Sequence, residues 1–234
     1  MEWDQPQKRK AEKKMRSKSK KQLLAALCLL AAFVLWTVLV CTVDVQRIGP
    51  LDSAVGLASL NGPMRDLVGV RMPLYTLTDW LGLVPIATAL GFAILGLVQW
   101  IKRKGLLRVD RHILALGVFY IAVMAVYLLF ETVTVNTRPV LIDGRLETSY
   151  PSSTTLLTAC VMPAAALQLL ARMRRGVPRL CLCGGVYGFT AFMVIGRLLS
   201  GVHWFTDIVG GLLLSGGLVM LYAALGMRPD SLDP

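Results

Sequence analysis

Acidic residues and histidines are scarce in this chain: 14 aspartates and glutamates stand against 25 lysines and arginines, and His112 and His203 are its two histidines. A site that needs two imidazoles can therefore form only if these two meet. Cysteine occurs five times, but the closely spaced Cys181 and Cys183 lack a second cysteine or histidine cluster to complete a tetrahedral zinc site. With Cys28 and Cys160 they lie within or at the ends of apolar runs and read as buried free thiols. The first apolar run has no small-residue cleavage site and exceeds a typical signal core, which makes it a retained anchor. Cys41 follows Val40 rather than a small residue, which argues against a lipoprotein cleavage site. Beyond the basic amino terminus no repeat or low-complexity segment is present.

What the chain has in excess is apolar surface. Hydrophobic residues make up 55% of it and the mean hydropathy is +0.61, in runs too long for a soluble core. A membrane-crossing helix needs roughly 20 apolar residues, and such runs occur at 22–43, 81–101, 112–130, 153–171, 180–198 and 207–226. The expectation is an all-α membrane protein with six transmembrane helices. Residues 22–226 form one membrane domain, flanked by a basic tail over 1–21, disordered until it meets lipid, and a short tail over 227–234.

Charge placement predicts orientation, because loops that stay in the cytoplasm keep their Lys and Arg. Nine such residues lie between Lys8 and Lys21, five more from Lys102 to Arg111, four from Arg172 to Arg179, and Arg228 follows the last run. Both termini are thus expected inside, with the intervening connections alternating. Most of the +11 charge is then accounted for by topology and by anionic lipid, the expected partner of the basic tail, rather than by nucleic acid.

The longest connection, from Asp44 to Trp80, contains short amphipathic stretches that Gly62 and Pro63 should interrupt. Tyr75 and Trp80 suit an interfacial belt, and the segment reads as a cap on the bundle with nothing polar converging on it. Within the runs, Pro85 and Pro163 can kink helices. Gly184, Gly185, Gly210, Gly211, Gly216 and Gly217 offer close helix approach.

Polar residues at membrane depth mark function when they converge. Two connections predicted to share the outer face do so. One runs from Glu131 through Arg138-Pro139 to Pro151-Ser152-Ser153-Thr154, and the other reads Gly196-Arg197-Leu-Leu-Ser200-Gly201-Val-His203-Trp-Phe-Thr-Asp207. If the last helix begins near His203, Asp207 lies one turn on. Its carboxylate can then accept a hydrogen bond from one ring nitrogen and leave the other bare, as a nucleophile requires. Arg138 and Arg197 offer planar forks for a phosphate. Ser152, Ser153 and nearby amides add donors at a helix amino terminus.

These residues resemble the type 2 phosphatidic acid phosphatase superfamily, which shares its core with vanadium haloperoxidases and is known by the motifs KxxxxxxRP, PSGH and SRxxxxxHxxxD. The resemblance covers about 80–226, and all three frames occur in order, with Gly196 in place of the third motif's Ser. It implies a bacterial plasma-membrane lipid phosphatase that needs no metal or cofactor. In it His203 attacks phosphorus to form a phosphohistidine, Asp207 orients the ring, and Arg138 and Arg197 hold the oxygens.

Two positions depart from the pattern: Glu131 stands where the first motif begins with Lys, and Thr154 where the second ends with His. In the family that His protonates the leaving oxygen. A leaving phosphate needs the proton less than a lipid alkoxide does, which favours a lipid diphosphate such as a polyprenyl diphosphate. Glu131 is the candidate replacement acid, unless it pairs with Arg138; Glu147 and Tyr150 are weaker candidates. Alternatives are a phosphatidic acid or phosphatidylglycerophosphate-type monoester phosphatase, a lipid phosphotransferase, or a phosphate-lipid binder or transporter that has lost turnover. The sequence identifies no protein partner.

Overall fold

A computed structural model describes residues 5–226, which fold into eight α-helices. They are α1 (Gln5–Thr42), α2 (Ala58–Val68), α3 (Met72–Leu81), α4 (Leu83–Arg103), α5 (Arg111–Thr132), α6 (Ser153–Arg172), α7 (Val177–Leu199) and α8 (Phe205–Leu225). Six stretches are long and apolar enough to cross a bilayer: Ser17–Thr42, Met72–Arg103 across α3 and α4, and the full lengths of α5, α6, α7 and α8. The chain is an integral, all-helical membrane protein, and each run read from the sequence lies on one of these stretches.

α6 is the centre of the bundle. It touches α4, α5, α7 and α8, and 61% of its apolar window is buried, against 6% for Met72–Arg103. Alanines and small polar residues on α6 allow this enclosure, while Ile121, Val118 and Leu180 on neighbouring helices point outward, where hydrocarbon replaces protein. α1 lies along α8. Gly210, Gly211 and Gly217 make that helix thin: a Cβ on Gly210 would sit 2.7 Å from the Tyr150 ring, and one on Gly217 2.7 Å from Leu30. Gly184 and Gly185, expected to serve the same purpose, have nothing within 4 Å of a built Cβ.

Several expectations change. Residues from Gln5 onward continue α1, because Lys, Arg, Glu, Ala and Gln are strong helix formers that extend a nucleus already held by the membrane span. The tail over 227–234, Arg228 included, lies outside the described residues. α2 runs through Gly62 and Pro63. The single bond that Pro63 removes is offset by Asn61 in the same helix, whose amide donates to the Gly56 carbonyl at 2.8 Å and to Thr206 Oγ1 at 2.9 Å. Of the cysteines, only Cys160 is fully buried; Cys28, Cys41 and Cys181 are exposed on the bundle's surface, and all five thiols are free.

The two ends of the bundle differ in chemistry. At one, Arg172 pairs with Asp110 at 2.7 Å and His112 Nδ1 meets the Gly226 carbonyl at 3.0 Å, joining α5, α6 and the end of α8. His203 precedes the opposite end of α8, about 30 Å away for a helix of 21 residues, so the two histidines cannot share a site. The contrast among glycines is testable. Gly210→Ala forces the Tyr150 ring aside and should destabilise the protein by about 1–3 kcal/mol. Gly184→Ala, in open space, should be neutral or slightly stabilising. Thermal unfolding of the two variants in one detergent checks this, and equal midpoints would contradict it.

Candidate active site

The connection between α5 and α6 folds back on itself. Asp143 and Gly144 both have positive φ, the pairing a tight two-residue turn requires. Arg138 N–H then donates to the Glu147 carbonyl at 3.0 Å and Ser149 N–H to the Asn136 carbonyl at 2.9 Å, with Thr137 and Thr148 bridged between them. Side chains alternate faces in such a ladder. Asn136, Arg138, Glu147 and Ser149 therefore share one side, and that side is turned toward His203.

His203 lies on the α7–α8 connection and is buried, as are Arg138, Arg197 and Asp207. α8 starts at Phe205, so His203 is outside the helix and the expected one-turn relation to Asp207 does not arise. Asp207 sits in the first turn, where its Oδ2 accepts the Trp204 N–H at 2.8 Å. That draws the carboxylate to 3.7 Å from His203 Nδ1, too far for a hydrogen bond. Ser149 fills the gap: its Oγ is 3.1 Å from His203 Nδ1 and also bonds Asp207 Oδ2. On the other side of the ring, Arg138 NH1 lies 3.3 Å from Nε2.

Arg197 closes the site from the last turn of α7. Its guanidinium lies 4.9 Å from the centre of the Tyr75 ring, and the Arg138 guanidinium lies 6.0 Å from the same ring. Arg197 NH1 reaches Thr78 Oγ1 at 3.5 Å and Asp79 Oδ1 at 3.6 Å, while its buried Nε has no hydrogen-bond partner among the described residues. The sequence reading had nothing polar converging on this segment. Three residues of α3 do so, because α3 and α4 together span 32 residues, about 48 Å of helix against roughly 30 Å of hydrocarbon.

The other candidate residues occupy distinct positions. Glu131 lines a small, partly open cavity with His203, Ser149, Tyr150 and Ser153. It forms no ion pair with Arg138; Glu147 does, Oε2 to Nε at 3.0 Å. Ser152 is completely buried, with its N–H donated to the Asp207 carbonyl at 3.2 Å, so that amide is not free for an anion. Ser153 is partly exposed at the start of α6. The Thr154 methyl would lie 3.7 Å from a Cβ on Gly82, toward the α3–α4 junction, and offers no acid. Tyr150 bonds Thr37 at 2.7 Å. Sequence reasoning missed Ser149, Asn136, Tyr75, Thr78 and Asp79. Only the Asp143-Gly144 pair, with the alternation around it, could have signalled the first two.

An imidazole nitrogen 3.3 Å from a guanidinium, with a second guanidinium against the same Tyr75 ring, is an arrangement that can bind a tetrahedral anion and, where that nitrogen is unprotonated, attack it. A family model described as the PAP2 superfamily matches residues 112–229, half of the chain. A solved structure of a transmembrane PAP2 type phosphatidylglycerolphosphate phosphatase from Bacillus subtilis is 20% identical, with a TM-score of 0.46, covering 86% of this chain and 94% of that one. No curated protein matches.

Burial, followed by the positive charges of Arg138 and Arg197, holds the His203 pKa well below its ordinary value, against the opposing pull of the bond to Ser149. The unfolded chain takes up a proton on this ring below about pH 6.5 and the folded chain does not. The stability that the neutral ring allows is complete above that pH and declines as pH falls toward the folded value. Between pH 7.5 and 5 the unfolding midpoint of the native chain should therefore drop more than that of His203→Gln; parallel curves would contradict the neutral ring.

Proposed function

The chain belongs to the PAP2 superfamily, and on that premise we propose that it is a membrane lipid phosphatase whose His203 attacks a terminal phosphoryl group. The observation that carries this reading is the His203 ring itself, with Nδ1 tied to Ser149 and Nε2 3.3 Å from a guanidinium. Attack by Nε2 forms a nitrogen–phosphorus bond as the bond from phosphorus to the leaving oxygen breaks. Arg138 and Arg197 stabilise the charge that gathers on the phosphoryl oxygens. Water then cleaves the phosphohistidine and releases phosphate. No step requires a metal or cofactor.

The substrate we infer is a lipid diphosphate of the polyprenyl type. Thr154 cannot protonate a leaving group, and the carboxyl group sharing a cavity with His203 and Ser149 is the exposed Glu131. A leaving phosphate monoester is a far weaker base than an alkoxide and tolerates a weak or distant acid. A monoester substrate would forfeit roughly 100- to 10,000-fold without one. Loop charge supports an orientation with the site on the outer face and both termini in the cytoplasm of a bacterial plasma membrane, where the basic tail meets anionic lipid.

Three measurements test the reading. Purified protein should release phosphate faster from undecaprenyl diphosphate than from phosphatidic acid; a clear preference for phosphatidic acid would remove the diphosphate assignment. Radiolabelled phosphate should be trapped on the native chain and not on His203→Ala, and a native chain that binds lipid diphosphate without ever being labelled is a binder rather than an enzyme. Glu131→Gln should lower turnover at least tenfold if Glu131 is the acid, whereas unchanged turnover assigns the proton to water.

A further inference from the structure

We propose that the Ser149 hydroxyl is the positioning residue that selects the tautomer of His203, relaying the charge of Asp207 to a ring the carboxylate does not itself reach. The proposal rests on the reading of His203 as the nucleophile and concerns how its lone pair is aimed.

The direction of each hydrogen bond follows from its neighbours. Asp207 Oδ2 accepts the Trp204 N–H at 2.8 Å, and in the ionised form on which the proposal depends the carboxylate can only accept. The bond between Ser149 Oγ and Asp207 Oδ2 is therefore donated by the serine. Its one proton used, Ser149 has only lone pairs left for His203 Nδ1 at 3.1 Å, so Nδ1 must carry the ring proton. Nε2 is then bare, and it is the atom at 3.3 Å from Arg138 NH1, a group that can only donate. All four groups are buried, and water does not compete for these bonds: Ser149 is 2%, His203 5%, Asp207 0% and Arg138 8% exposed. A direct bond between His203 and Asp207 is excluded as the source of this order by the 3.7 Å separation.

Ser149 is also rigidly placed. Its N–H is bonded to Asn136 across the ladder, and Tyr150 beside it packs against Gly210 of α8. Its hydroxyl thus faces both partners without a rotamer search, unlike a serine on a free loop.

The experiment uses the full chain with 15N-labelled histidine. His112 lies at the other end of the bundle, so His112→Asn leaves His203 as the single imidazole signal. In this parent protein Nδ1 should be protonated and Nε2 bare from about pH 6 to 8. In Ser149→Ala the ring should show both tautomers or titrate at a different pH. Phosphate release from undecaprenyl diphosphate should fall about tenfold in kcat, with KM changing less than about threefold, as expected for loss of one orienting bond. Ser149→Thr, which keeps the hydroxyl, should restore the tautomer and most of the rate. Ser149→Cys, of nearly the same shape but a weaker donor, should fall between and stands in if the alanine variant does not fold. A ring protonated on Nε2 in the parent would overturn the proposal. So would an unchanged tautomer and titration in Ser149→Ala, or full rate in Ser149→Cys with the parental tautomer. The spectrum is independent of turnover. The expected tautomer shift without any trapped phosphate would leave Ser149's role standing and sink the nucleophile assignment.

Discussion

A carboxylate without solvent contact has to be satisfied by donors that the fold itself delivers, and Asp207 is such a group. Trp204 supplies its N–H from the chain entering α8, and Ser149 its hydroxyl from the ladder between α5 and α6. The Asp207 carbonyl in turn takes the Ser152 N–H at the start of α6. Two segments more than fifty residues apart are thereby fixed against one another, and His203 stands between them. Asn61 adds a third, since its side chain joins the Gly56 carbonyl of the α1–α2 connection to Thr206 beside Asp207, and the Gly56 N–H donates to Asn136 at 3.2 Å. The His203 imidazole is held by the end of the bundle as a whole rather than by the helix that follows it.

This explains what could be read in the sequence and what could not. Six apolar runs are a property of composition along the chain, and they predict six spans because hydrocarbon forces every backbone polar group into a helix. That His203, Asp207, Arg138 and Arg197 come together was legible, because charged groups at membrane depth are costly and gather where polar partners can satisfy them. The expected His203–Asp207 bond was not correct, since it assumed helical geometry two residues before the helix begins. Ser149 was illegible because serine is common in loops, and its meaning depends on a register that brings residue 149 opposite 136. Tyr75, Thr78 and Asp79 were hidden by an element boundary: read as the tail of a connection they are surface, whereas on a helix continued by α4 they reach Arg197.

The disagreements also share a cause. Each arises where a local rule was overridden by what the rest of the fold does or does not place beside it. Pro63 should break a helix, but Asn61 anchors it from both sides. Gly184 and Gly185 should mark a helix contact, yet α7 turns that face away from the rest of the bundle. The polar start of α1 lacks apolar residues, and the helix persists there because propagation from an existing helix is far easier than nucleation.

The charges around the site bear on how an anion could enter. Arg138 and Arg197 face a common Tyr75 ring, and two guanidiniums so placed repel each other unless countercharged. Each has a carboxylate: Glu147 for Arg138 at 3.0 Å, Asp79 for Arg197 at 3.6 Å. In both pairs the arginine is buried and the carboxylate is the wetter partner, 10% against 41% exposed in one and 1% against 59% in the other. The forks are therefore the fixed members and the carboxylates the ones free to move. A phosphate arriving at this site exchanges with protein carboxylates rather than filling a vacant positive pocket, and its net gain is smaller than two arginines alone would suggest. A substrate with more than one anionic phosphate gains most from such an exchange, because it can displace both carboxylates at once. That electrostatic preference is independent of the proton-donor argument from Thr154 and supports the same proposed class of substrate.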